Sequence, residues 1–153
     1  MPDHDTPMAA GSFSRAEIEA FVADWYRQLD NHVPVEQLAS LVADQVEMQF
    51  PEGAVRGVDG FLELVRRGWY ESFFDELHAV THVGITWQDG RCLLDVVVNW
   101  QARRWRPPAP RSEWIGFDAY QRWELIASPA NGRPVVFRYI VDELRPMPGS
   151  PPL

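Results

Sequence analysis

Lysine is missing from the sequence altogether, and all fourteen basic residues are arginine. Chemistry that needs a lysine amine is thereby excluded, whether a Schiff base to a carbonyl substrate, a pyridoxal-phosphate linkage or a lysine general base. Cysteine is almost missing too. Cys92 stands alone, so no intrachain disulfide can form and nothing marks an oxidising compartment. No apolar run approaches the ~18 residues of a membrane-spanning helix. The opening residues Met1-Pro2-Asp3-His4-Asp5 are acidic, with neither the cationic start nor the apolar stretch of a signal peptide. These features predict a cytoplasmic protein with no membrane partner. Positive charge is scarce as well: 14 basic against 22 acidic residues leave a net charge of −8. Such a chain repels phosphate backbones, and no nucleic-acid partner is expected. A phosphate-cradling glycine loop between strand and helix is absent, as is a serine-hydrolase elbow.

What remains is an ordinary folding chain, 46% hydrophobic and 24% charged over 153 residues. That length suits one domain, which buries roughly 70% of its unfolded surface. Residues 1–12 read as a disordered leader, 13–146 as a single domain, and the proline-rich 147–153 as a flexible tail. Ser14 and Glu17 form a capping box at the start of a helix whose buried stripe is Ile18, Phe21, Val22, Trp25 and Leu29. The helix should end near Asn31-His32. A short helix from Val33-Pro34 buries Leu38, Leu41 and Val42, and the alternation of residues 46–50 marks a strand closed by Pro51. Turns at Glu52-Gly53 and Gly57 lead into a third helix, from about Asp59 to Leu77. Beyond Val80 the period falls to two, and four strands are predicted over 80–87, 92–105, 114–127 and 135–144. Asp89-Gly90 and the stretch 129–132 supply hairpin turns. The expected fold class is α+β: three N-terminal helices packed in a strongly curved, mainly antiparallel sheet, a cone-shaped α+β barrel with room inside.

With this element order, the stretch Val42-Ala43-Asp44-Gln45-Val46-Glu47-Met48-Gln49-Phe50-Pro51-Glu52-Gly53 resembles the nuclear transport factor 2-like superfamily. So do Gly57-Val58-Asp59-Gly60-Phe61 and the last strand, residues 135–142. That superfamily includes ketosteroid isomerase, scytalone dehydratase, limonene-epoxide hydrolase and the SnoaL-like polyketide cyclases. The resemblance spans residues 14–145 and implies a pocket for a small organic molecule. It does not carry over a complete catalytic set. Phe50 stands where ketosteroid isomerase has its general-base aspartate, and Trp25, with Tyr26 beside it, stands near that enzyme's helix-one tyrosine. Asp118 matches its second aspartate, while Tyr139 falls where limonene-epoxide hydrolase has its last-strand acid.

Candidate site residues come from the strand faces. Residues 92–102 alternate, with Cys92, Leu94, Val96, Val98, Trp100 and Ala102 on one side and Asp95 and Asn99 on the other. In one reading the polar side lines the cavity. Asp95, with His82 on the neighbouring strand and Asp118, is then the acid–base group, and the apolar side pairs with a second copy in a homodimer. In the other reading the apolar side lines the cavity and the polar side meets solvent or a partner. Asn99 and Tyr139 are expected to orient the substrate, and Trp25, Tyr26, Phe50, Trp69 and Trp123 to line its pocket. The His78-x-x-x-His82 spacing would pair metal ligands on a helix, but the β-forming residues between them argue against one, so neither a metal nor any other cofactor is expected. Four arginines, Arg103, Arg104, Arg106 and Arg111, frame a proline-rich loop that could close a pocket mouth over an anion. Together these features suggest a cofactor-independent acid–base enzyme, a cyclase, isomerase or dehydratase, acting on a hydrophobic, aromatic or polyketide-like molecule. The alternative is a non-catalytic ligand-binding or dimerisation domain of the same fold.

Overall fold

The structure, a computed structural model, describes residues 13–153, so the expected leader lies outside the described residues. Helix α1 (Arg15–Asp30) starts as anticipated. Ser14 Oγ accepts from the Glu17 amide while the Glu17 side chain accepts from the Ser14 amide, and Ile18, Val22, Trp25, Tyr26 and Leu29 are buried. The helix closes in a Schellman turn, in which the His32 amide bonds the Leu29 carbonyl and the Val33 amide the Gln28 carbonyl. A 3-10 segment (Val35–Leu41) follows, then β1 (Val42–Phe50), β2 (Gly53–Arg56) and α2 (Gly57–Glu63). The helix continues as a π-helical segment (Leu64–Trp69) and a last turn, α3 (Tyr70–Ser72). Strands β3 (Phe74–Gln88), β4 (Arg91–Arg104), β5 (Glu113–Ala127) and β6 (Pro134–Pro146) complete the chain.

The six strands form one open sheet in the order β2-β1-β6-β5-β4-β3, with β1 parallel to β6 and every other pair antiparallel. Three boundaries differ from expectation. Val42 belongs to β1 rather than to the preceding helix, and residues 53–56, between the turns expected at Glu52-Gly53 and Gly57, pair with β1 as a strand that was not anticipated. The third helix stops at Ser72, because Phe73 is already extended, so β3 takes Phe74 to Leu77 as well. Trp69 and Phe73 fit a helical stripe, which is why the pattern ran on. The hairpin at Asp89-Gly90 is as expected: φ values of 46° and 77° at its two central residues suit the right-handed twist of β3 and β4.

The two faces of the sheet settle which side holds the core. Cys92, Leu94, Val96 and Val98 on β4 are buried with Trp25, Phe61 and Trp123 between sheet and helices, whereas Asp95 is exposed on the outside. The apolar face is therefore the inner one, and the outer face is polar. Asn99 donates to Asp118 at 3.0 Å, Gln101 to Asn99 at 2.9 Å and Trp114 to Gln101 at 3.1 Å, while Arg122 clasps Asp142 with two bonds of 2.8 Å. An apolar outer face needing cover, the reason for expecting a dimer there, is not what the sheet presents.

Residues 147–153, read as a flexible tail, return along the sheet. The Met147 amide bonds the Gly116 carbonyl, the Gly116 amide bonds Ser150 Oγ, and buried Arg104 donates to Glu113 and to the Pro152 carbonyl. Gly116 is where the tail passes: a Cβ there would meet Trp114 at 2.5 Å and Met147 Sδ at 2.7 Å. With Arg103 held by Ser112, two of the four loop arginines anchor the chain to itself instead of waiting for an anion.

Candidate active site

Between the inner sheet face and the helical layer lies a cavity of about 170 Å³. Its wall is mostly aromatic and aliphatic. Residues from several elements converge there: Tyr26 and Leu29 from α1, Phe50 from β1, Trp69 and Tyr70 from the helical run, Val98 and Trp100 from β4, Gln121 from β5, and Tyr139 and Val141 from β6. The π-helical segment makes this wall possible. Leu64 and Trp69 are five residues apart, which in an α-helix would turn them about 140° from each other, yet both face the cavity. The wider turn brings them to one side, and such turns concentrate at functional sites. Leu153, at the end of the tail, also lines the cavity.

Of the residues singled out from sequence, Tyr26, Phe50, Trp69 and Tyr139 lie on this wall. Trp25 and Trp123 lie in the layer that supports it. Trp25 packs at 5.5 Å on Phe61, 5.3 Å on Trp123 and 5.4 Å on Tyr139. Asp95, Asn99 and Asp118 are on the outer face, where Asn99 and Asp118 bond each other, and none of the three touches the cavity. His82 is also outside, for a legible reason. The β3–β4 register slips between Val80 and His82, so that Val80 pairs with inward Val98 and His82 with outward Val97. This bulge reverses the parity, and His78 and His82 end on opposite faces. Among the described residues no group of three His, Cys, Asp or Glu could hold a metal.

His78, which the sequence reading weighed only as a metal ligand, is the histidine on the cavity wall. Its Nδ1 lies 2.5 Å from Asp30 Oδ1, and its backbone amide donates to Asp30 Oδ2 at 2.9 Å. An ionised carboxylate only accepts, so Nδ1 donates this bond, and in the neutral ring Nε2 keeps its lone pair. The ring is fixed on both faces, stacked on Tyr26 at 4.6 Å and on Trp100 at 5.9 Å. Asp30 is the last residue of α1 and His78 an early residue of β3, so the pair forms only where the helix end crosses the strand.

A second pair lies beside the first. His32 Nε2 approaches Glu76 Oε2 at 2.5 Å, and Trp100 Nε1 donates to Glu76 Oε1 at 3.0 Å. Asp30 with His78 and His32 with Glu76 are two successive rungs between the end of α1 and the start of β3. Their order is reversed: imidazole faces the cavity in the first, carboxylate in the second. Tyr70 stacks on His32 at 4.1 Å and donates to the Val33 carbonyl.

The phenols of the wall are held in their neutral form. Burial pushes Tyr139 up to about 12 and Tyr26 well above the ordinary value near 10. Burial, then the Glu76 charge, pushes Tyr70 up to about 12. Gln121 completes the polar set: its amide donates to the Tyr26 hydroxyl at 2.9 Å and its carbonyl accepts from Trp123 Nε1 at 3.0 Å. An aromatic cavity with one oriented imidazole and neutral phenols can accept a proton from a carbon acid and steady the oxygen that becomes negative.

This is the nuclear transport factor 2-like, or cystatin-like, α+β fold, and solved structures share it over most of the chain. Hexachlorocyclohexane dehydrochlorinase LinA type 2 aligns with a TM-score of 0.71 at 18% identity, covering 90% of this chain and 93% of that one. LinA type 3 from Novosphingobium barchaimii LL02 aligns with 0.70 at 20% identity, covering 90% and 94%. ActVI-ORFA from Streptomyces coelicolor aligns with 0.64 at 14% identity, covering 82% and 93%. At these identities the likeness is one of fold. No protein-family model and no curated protein sequence matches the chain.

Proposed function

We propose that the protein is a cofactor-independent acid–base enzyme acting on a small, hydrophobic, cyclic molecule, with His78 as the proton acceptor. The single observation that carries this reading is the Asp30–His78 pair on the wall of an aromatic cavity. Asp30 fixes the tautomer and stabilises the imidazolium that forms, Tyr26 and Trp100 hold the ring plane, and Nε2 removes a proton from a carbon of the bound ligand. Electron density then moves to an adjacent carbonyl oxygen, for which the neutral Tyr139 phenol is a donor. Returning the proton to another carbon gives isomerisation. Expulsion of a leaving group gives elimination, and attack on a second carbonyl gives ring closure. That LinA is a dehydrochlorinase supports the elimination branch for a site of this architecture. The acid–base roles assigned from sequence to Asp95, His82 and Asp118 pass in this reading to His78, which lines the cavity, and to Asp30, which holds its ring from behind.

The test needs no natural substrate. In deuterium oxide the wild-type protein should speed exchange of the acidic carbon-bound hydrogens of indanone, followed by mass spectrometry, well beyond free imidazole at equal concentration. His78→Ala should lower that acceleration about 100- to 10,000-fold. Asp30→Asn, which removes the tautomer lock, should lower it in the same direction. Exchange in the wild type no faster than with free imidazole, or unchanged in His78→Ala, overturns the reading; indanone bound without exchange leaves a binding protein in its place.

A further inference from the structure

The cavity has a second polar feature that proton removal by His78 does not use. Glu76 presents a carboxylate to the same wall with its side chain only 6% exposed. Burying such a charge is costly unless partners compensate it. Two do, one on each oxygen, Trp100 Nε1 and His32 Nε2. Each oxygen keeps a further lone pair, since a carboxylate offers about four acceptor sites.

His32 is itself held at a backbone cost. It occupies the left-handed position of the Schellman turn, φ 47°, where glycine is the usual residue and a side chain is strained. A strained non-glycine residue of this kind is found where its side chain has a task, and here the imidazole reaches Glu76. The rest of the wall supplies no permanent cation: none of its residues is arginine, the chain has no lysine, and Glu52 adds a further negative group.

We propose that Glu76, braced by His32 and Trp100, is the specificity-determining anchor of the cavity: it selects ligands that bring a hydrogen-bond donor, a hydroxyl or an ammonium group, and rejects carboxylates. The inference rests on the cavity being the ligand site proposed above, but not on His78 performing catalysis. A hydroxyl finds an acceptor already oriented, and an ammonium finds a countercharge in a setting of low dielectric where charge-assisted bonds are strong. A carboxylate finds no permanent positive charge and meets a like charge instead.

Calorimetric titration of one ring frame with four substituent patterns tests this: indane, indanol, aminoindane and indane carboxylate. Wild-type protein should bind indanol and aminoindane at least about tenfold more tightly than indane carboxylate. Glu76→Gln should weaken aminoindane about 10- to 100-fold and indanol less, and leave indane unchanged. Unchanged indane binding also certifies that the variant is folded and its cavity intact. Should Glu76→Gln not fold, the wild-type ranking alone decides. The proposal is overturned if the carboxylate binds as well as the alcohol, or if Glu76→Gln binds all four as the wild type does. In those two cases the cavity reading survives. If none of the four binds wild-type protein, the cavity reading falls and this anchor falls with it. Loss of exchange in His78→Ala is a separate measurement and is untouched by either result.

Discussion

Gln121 shows how a single side chain can serve two buried neighbours. It is 4% exposed, donates to the Tyr26 hydroxyl and accepts from Trp123 Nε1. In Gln121→Leu both partners would lose their bonds in a water-free layer, each at about 1–3 kcal/mol, so chemical denaturation should show a loss of roughly 2–6 kcal/mol. A loss under half a kcal/mol would mean that the two partners find bonds elsewhere. The position was visible in the sequence only as one polar residue alternating with Trp123 and Leu125. His78 was equally visible, but its partner Asp30 stands 48 positions away, and no spacing rule joins a helix end to the start of a remote strand. Asp95 attracted notice because it interrupts an apolar strand, yet alternation alone does not say which face is inside.

At the scale of elements, α1 was legible almost to the residue because its start carries a local signature. The capping box makes Ser14→Ala a clean probe: helix caps of this kind contribute about 1 kcal/mol, and thermal unfolding should register a loss of that size, with ligand binding unchanged. A shift indistinguishable from zero would show that Trp87, whose Nε1 bonds the Phe13 carbonyl, secures the helix start without the cap. The strands 91–104, 113–127 and 134–146 were legible through alternation. The third helix and the beginning of β3 were not, because Trp69, Phe73 and Leu77 satisfy a helical period, and the break at Phe73 comes from tertiary packing. The π-helical widening has no sequence signature at all. Trp69 was expected on the pocket wall from sequence, but the widened turn that sets Leu64 beside it there was not legible.

For the whole molecule, the phenols set an alkaline limit. Tyr70 and Tyr139 are pushed up to about 12 and Tyr26 is raised as well, whereas an unfolded tyrosine loses its proton near 10. Below that value folded and unfolded chains are both protonated, and the stability is complete. As pH rises from about 10 toward about 12, the unfolded state sheds protons first and gains on the folded one, so stability falls through that window. Phenolate absorbance combined with denaturant titration at several pH values should show three of the four tyrosines ionising late and together with unfolding. Early ionisation in a chain that stays folded would contradict the burial of these groups. The net charge of −8 acts in the same direction at high pH, through self-repulsion.

The two rungs between the end of α1 and the start of β3 carry one more consequence. Asp30 and His32 belong to the stretch that closes the helix, Glu76 and His78 to an edge strand, and the groups proposed to move the proton and hold the ligand are at the same time a latch between helix and edge. In the proposed reading, whatever lifts that seam, a solvent fluctuation or an ill-fitting guest, would dismantle the proton-handling pair without the rest of the sheet having to be disturbed. The protein would thus fall silent by unfastening, well short of melting.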